Sequence, residues 1–326
     1  MKKAVITGIY GQDGSFLAEY LLKEGYQVYG FVRTPLGVNS QRIKDELGEL
    51  HQRISVYENV LLDYEQLKQI LIEIEPDEIY HLSAVHASSE KLNLTNEKMA
   101  FENNIKITAN LLDICYNWIP NCHIVTAGSC LMFDGSGTQE QTEDTPFSSN
   151  SYYGIAKITE NMLVKMYRNK GLFACTAILY NHESHRRAVD FVTRKIVSNM
   201  VKVRKGIISS FALGNLDALK DWGYAPDYIR GMVLMANNTE PKDYILATNV
   251  LHTIRDFVEE CARQLDISDW EQHVQIDSGI ITRKVATRLK GDCSMAEKEL
   301  GWNRTKTFEE MIVEMIEKEL LGSGMY

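Results

Sequence analysis

Ala4-Val5-Ile6-Thr7-Gly8-Ile9-Tyr10-Gly11-Gln12-Asp13-Gly14-Ser15 is the stretch whose reading decides the fold. Its first four residues read as a buried strand, glycines follow at every third position, and residues 16–23 carry apolar side chains at helical spacing. Strand, glycine turn and helix in that order form the context of a dinucleotide-binding turn. Glycine lets the backbone bend tightly and approach a pyrophosphate, which then rests on the positive end of the helix. A turn with a purely structural role is the plainer alternative.

The pattern continues outward. Residues 27–32, 54–57, 78–82, 123–126 and 174–179 read as strands, and residues 64–74, 104–116 and 151–168 as helices. Such alternation predicts a Rossmann-type, doubly wound parallel sheet of the α/β class, binding ligands at the carboxyl ends of its strands. Beyond about residue 182 the alternation loosens, and helices at 190–205, 228–236, 254–264 and 308–320 predict a smaller, mostly helical lobe. The expected division is 1–181 for the dinucleotide and 182–326 for the substrate, with some later segments returning to the sheet.

Bulk composition narrows the partners. A chain of 326 residues with 44% hydrophobic content supports a substantial core, and a formal charge of −9 argues against nucleic acid or an anionic membrane surface. The six cysteines form no C-x-x-C pair and have no histidine at ligand spacing, so they read as reduced thiols with no metal site. The amino terminus is too brief for a signal peptide and no apolar run is long enough to cross a bilayer, which predicts a cytoplasmic protein.

Tyr153 and Lys157 stand four residues apart in the predicted helix after Ser129. An ordinary tyrosine has a pKa of about 10 and needs a neighbouring cation to act as a base. In the arrangement expected here, Tyr153 takes the proton of a substrate hydroxyl, Lys157 lowers the tyrosine pKa and holds the nicotinamide ribose, and Ser129 hydrogen-bonds the reacting oxygen. Helix decoration is the competing explanation. Arg33 ends the second strand where an NAD-preferring fold places an acid, which suits the 2′-phosphate of NADP, unless it is a solvated surface arginine. Asp63 either contacts adenine or caps the next helix. Residues 179–187 and 191–195 set Asn181, His182, Arg186, Arg187, Arg194 and Lys195 after a strand end, as phosphates and sugar hydroxyls require, or as a solvated basic face would.

With these segments assembled, the sequence resembles the GDP-mannose 4,6-dehydratases, a branch of the extended short-chain dehydrogenase/reductases. The likeness runs almost end to end, through Gly8 to Ser15, Thr145-Pro146-Phe147, the Tyr153/Lys157 pair, Asn181-His182-Glu183-Ser184, Phe191 to Lys195, Leu213 to Asp217, Asp221-Trp222-Gly223 and Leu300-Gly301-Trp302. The resemblance implies a tightly held NADP lined by Gly8, Ile9, Tyr10, Gly11, Gln12, Asp13, Arg33, Leu82, Ser83, Ala84, His86, Tyr153, Lys157, His182 and Arg187, with Leu61 and Asp63 near the adenine. It implies a GDP-sugar met by Ser129, Asn181, Val192, Lys195, Leu213, Gly214, Asn215 and Lys220. It also implies a homodimer or homotetramer.

The family reaction needs three steps. Hydride leaves C4 of the sugar for NADP while the tyrosine takes the hydroxyl proton; a glutamate then removes the C5 proton as water leaves from C6; the hydride finally returns to C6. That glutamate stands two residues after the catalytic serine or threonine, and here the position holds Leu131. Loss of a positioned general base costs about 10²- to 10⁴-fold in rate. Asp134 and Cys130 are the candidate substitutes. Other departures gather near the same site: Val60-Leu61, Ala84-Val85-His86, Leu219-Lys220 and Tyr224 replace family residues, and near the end only Arg283 with Lys284 survives, with Ala286 at a glutamate position. The expected activity is a GDP-sugar 4,6-dehydratase. The alternatives are a C4 oxidoreductase or epimerase without elimination, and a non-catalytic NADP-binding sibling.

Overall fold

A computed structural model describes residues 1–84, 94–280 and 288–322. Strand β1 (Lys3–Thr7) runs through the glycine turn into α1 (Gln12–Lys23), followed by β2 (Gln27–Val32), α2 (Val38–Leu47), β3 (Ile54–Glu58), α3 (Tyr64–Ile74) and β4 (Glu78–His81). Then come α4 (Leu94–Trp118), β5 (His123–Ala127), α5 (Tyr152–Arg168) and β6 (Ala174–Leu179).

The second half contributes β7 (Asn181–Glu183), α6 (Val192–Arg204), β8 (Phe211–Leu213), β9 (Leu219–Tyr224), α7 (Ala225–Ala236) and β10 (Tyr244–Leu246). It ends with β11 (Leu251–Thr253), α8 (Ile254–Gln264), β12 (Val274–Ile276), α9 (Ser294–Leu300) and α10 (Phe308–Gly322).

The main sheet is parallel throughout, in the order β10-β6-β5-β4-β1-β2-β3. The chain reverses its direction of travel between β1 and β4, and the crevice at such a switch point is where doubly wound sheets take ligands. Strands β1, β4 and β6 are almost wholly buried, because helices cover both faces of the sheet. One apolar layer holds Leu17, Leu21, Tyr80, Met232 and Trp302, and the opposite layer holds Leu67, Leu71, Leu111, Ile114 and Val164.

A third core, around Ile196, Met200, Trp222, Phe257 and Met315, knits together α6, α8, α10 and β9. Beside these helices stand two small sheets, β11-β9-β7 and β12-β8. Four of their five strands have only three residues, too few to give an alternating signal, so backbone pairing is what reveals them. The third helix of the second half is set by a capping box between Thr253 and Asp256. Helix α2 is a further element without a sequence expectation, since it buries only Ile43 and Leu47. Among the described residues no helix is long and apolar enough to cross a membrane.

Candidate active site

The glycine turn has the geometry that its sequence predicts. Gly8 has φ of +76°, its N–H donates to Phe31 O at 2.9 Å, and Gly11 N donates back to Gly8 O at 2.8 Å. A Cβ on Gly14 would lie 2.3 Å from Gly8 O, so helix and strand approach more closely than any side chain permits. No side chain caps α1, and Gly11, Gln12 and Asp13 at its start line a cavity of about 490 Å³. Uncapped N–H groups at a helix start, beside a turn where only glycine fits, suit a pyrophosphate. The strand β7 closes over this end: Gln12 donates to His182 O at 3.0 Å and accepts from Ser184 Oγ at 2.8 Å.

The same cavity is lined by Ser129, Tyr153 and Lys157. Beyond β5, Ser129 caps a 3-10 turn over Cys130–Phe133, its Oγ accepting from Leu131 N at 3.2 Å. Ser151 caps α5 in the same way, accepting from Gly154 N at 3.1 Å, which sets Tyr153 in the first turn and Lys157 in the second. A Cβ on Gly154 would meet Leu131 O at 2.4 Å, so the start of α5 presses directly on the 3-10 turn. Ser129, Tyr153 and Lys157 therefore share one cavity wall. The Lys157 ammonium lies 5.8 Å from the centre of the Tyr153 ring.

Electrostatics modify one expectation. The Tyr153 phenol stands above its ordinary pKa, because burial raises it more than Lys157 lowers it, and Glu160 adds to the rise. The ammonium of Lys157 resists its own burial because Glu160 and Tyr153 raise its pKa above the usual lysine value. Lys157 thus pulls the tyrosine in the expected direction without prevailing.

Leu131 also lines the cavity and packs against the main core. Neither candidate substitute offers a base. Asp134 is 4% exposed, its Oδ1 accepts from Asn150 N at 2.8 Å, and it does not line the cavity. Cys130 does line it, but burial pushes its thiol up to about 12 despite the downward pull of Lys220.

Of the other residues expected from the sequence, Leu82, Ala84, His182 and Arg187, expected at the dinucleotide, and Asn181, Val192, Leu213, Gly214 and Lys220, expected at the sugar, all line the cavity. Several do not. Gly8 forms the turn behind the wall, Ile9 is buried in the core beneath Gly30, and Tyr10 turns its hydroxyl to His51 Nδ1 at 2.8 Å. Ser83 donates its N–H to Thr7, and the Leu61 carbonyl accepts from Asn110. Asp63 caps α3 by accepting from Gln66 N at 3.1 Å, the role that its alternative reading assigned.

Arg33 is exposed just past β2, Lys195 stands on α6 outside the lining, and Asn215 is exposed with its Oδ1 accepting from Asp217 N. His86 and Val85, with Arg283, Lys284 and Ala286, lie outside the described residues. Ile254, Ile280 and Leu289 also wall the cavity, where the sequence singled out none of them, since apolar residues carry no mark that separates lining from core. Among the described residues no cluster of His, Cys, Asp or Glu is placed to hold a metal ion.

The chain is a nucleotide-sugar enzyme of the short-chain dehydrogenase/reductase type, as its relatives show. The family model for GDP-mannose 4,6 dehydratase matches residues 5–315. The chain is 35% identical to GDP-mannose 4,6 dehydratase of Cricetulus griseus and 36% identical to GDP-mannose 4,6 dehydratase 1 of Arabidopsis thaliana, in each case over 98% of this chain and 90% or more of the relative. It belongs to the GDP-mannose 4,6-dehydratase family. Solved structures agree on the fold: dTDP-glucose 4,6-dehydratase from Bacillus anthracis in complex with NAD has a TM-score of 0.84 at 17% identity, covering 100% of this chain and 99% of that one. The UDP-glucose 4-epimerase of Thermotoga maritima has a TM-score of 0.83 at 17% identity, covering 98% of this chain and 99% of that one.

Proposed function

We propose that this chain uses NADP to begin work on GDP-mannose or a related GDP-sugar by oxidation at C4, the opening step of a 4,6-dehydratase. The observation that carries this reading is the shared wall of Ser129, Tyr153 and Lys157, in a cavity that extends to the uncapped start of α1. The dinucleotide, when bound, supplies the hydride acceptor. The Lys157 ammonium stabilises the Tyr153 phenolate, which takes the C4 hydroxyl proton and becomes a neutral phenol as the hydride leaves, and the Ser129 hydroxyl holds the reacting oxygen. Gly11 to Asp13 are assigned to the dinucleotide phosphates and ribose, with 1–181 as the cofactor half and His182 and Arg187 reaching in from just beyond it. Arg33 at the end of β2 supports NADP over NAD. Val192, Leu213, Gly214 and Lys220, within 182–326, are assigned to the GDP-sugar together with Asn181 at the end of the cofactor half.

Leu131 supports a second reading, a C4 oxidoreductase or epimerase. With Asp134 turned to Asn150 and Cys130 held as a thiol, no described residue near position 131 takes the C5 proton. Incubation with GDP-mannose in deuterated water separates the two. Loss of one water with deuterium at C5 is the outcome for elimination, and C4 oxidation with neither change is the outcome for redox alone. An inert sugar beside bound cofactor points to the non-catalytic sibling. Equal affinity for GDP-, UDP- and dTDP-sugars would overturn the substrate assignment.

The chain is proposed to act as a homodimer, with a homotetramer as the larger assembly. Support comes from Tyr152, Ile155, Met162 and Met166, which leave an exposed apolar stripe along α5, beside exposed Met99 on α4.

A further inference from the structure

Behind Lys157 lies a buried carboxylate that none of these steps uses. Glu160, three residues further along α5, is 2% exposed, and its Oε2 accepts from Lys157 Nζ at 2.9 Å. Lys157 is itself 2% exposed. A pair this deep costs so much desolvation that stability does not explain its presence. An ammonium has three N–H donors. With one committed to Glu160, two remain for the cavity side.

The surroundings leave Glu160 as the charge that governs this ammonium. On α4, the Thr108 hydroxyl acts on the carboxylate, while Glu160 Oε1 is buried without a hydrogen bond. On β4, His81 lies between Thr7 and Thr108. Thr7 Oγ1 already accepts from Leu82 N and Ser83 N, so its hydrogen goes to His81 Nδ1 and the Nε2–H donates to Thr108 at 3.0 Å. Burial, helped by Lys157, holds that imidazole neutral, with a pKa of about 3. Cys130 on the 3-10 turn and Arg187 beyond β7 act on Tyr153 from the other side.

We propose that Glu160 is a positioning residue of the Tyr153/Lys157 couple, which clamps the ammonium so that its two remaining donors face the phenol and the ribose hydroxyls of the bound dinucleotide. This rests on the cofactor reading above. Its negative charge also opposes loss of a proton from either partner, so both steps of the coupled titration lie higher than they would beside a neutral residue.

The test is a double-mutant cycle of Glu160→Gln and Lys157→Met, read first as NADPH affinity by cofactor fluorescence, which needs no sugar. Glu160→Gln is expected to weaken NADPH about tenfold, and the double variant to bind no more weakly than Lys157→Met alone. Additive losses overturn the inference and leave the dinucleotide reading intact. A wild type that binds neither NADPH nor NADH overturns both. The second readout is the pH profile of C4 oxidation: in Glu160→Gln both limbs move to lower pH by about one unit, and limbs that stay put count against the proposal. Glu160→Asp keeps the charge with a shorter reach, so it is expected to keep the limbs and lose NADPH affinity. It carries the same test if Glu160→Gln does not fold.

Discussion

His182 Nε2 lies 3.0 Å from Asp13 Oδ2, while His182 Nδ1 lies 2.6 Å from the Tyr180 carbonyl oxygen. A carbonyl and a carboxylate only accept, so both ring nitrogens donate and His182 is an imidazolium. Burial opposes that charge, but Asp13 more than offsets it and leaves the histidine above its ordinary pKa. Asp13, opposed by burial in the same way, is held below its usual range by His182. The ring of Tyr228 stacks on the imidazolium at 4.8 Å between centroids. A cation is thereby fixed at the start of α1, beside the expected pyrophosphate.

The pair makes stability depend on pH in a stated direction. A histidine raised in the folded state stabilises fully below its unfolded value of about 6.5 and loses that contribution as pH rises through the folded value. The thermal midpoint of the wild type is therefore expected to exceed that of His182→Asn most below pH 6.5, with the gap narrowing at higher pH. A gap independent of pH would assign the effect to packing.

The glycine turn permits a sharper substitution. In Gly14→Ala the new methyl meets Gly8 O, and the turn must open. Overpacking of this kind costs about 1–3 kcal/mol. The expected outcome is a lower unfolding midpoint together with loss of NADPH binding, and unchanged binding would place the dinucleotide elsewhere.

At the elimination position, Leu131→Glu restores a carboxylate on the wall that holds Ser129 and Tyr153. Its C5 deuterium incorporation from GDP-mannose is expected to exceed that of the wild type by about 10²-fold or more. No gain would mean that Leu131 is not the cause of any deficit.

On α5, Ile155→Lys with Met162→Lys sets two charges in the exposed apolar stripe. Light scattering is expected to report a monomer where the wild type is a dimer. Because both side chains face outward, the unfolding midpoint in dilute solution should change little, apart from what dimerisation itself contributes.

The parallel sheet of the first half was legible in the sequence because its strands are rich in apolar and β-branched residues and its first turn admits only glycine. The Tyr153/Lys157 pair was legible for a similar reason, since helical spacing fixes their separation. Glu160 was not. A carboxylate three residues after a lysine reads as a surface ion pair until the packing of α4 shows it buried. Helix α2 escaped because it is polar on most of its surface, and β7, β9 and β11 because pairing, not side-chain alternation, makes them strands. Asp63 had two readings that the sequence could not separate, and its Oδ1 is seen capping α3 through Gln66 N.

The contact between Gly154 and the Leu131 carbonyl has a consequence for redesign. It sets the start of the tyrosine helix directly against the turn bearing residue 131, with no room for a side chain at 154. The approach is made by the backbone carbonyl of Leu131 and not by its side chain, so an exchange at 131 keeps the seat against which the tyrosine helix starts.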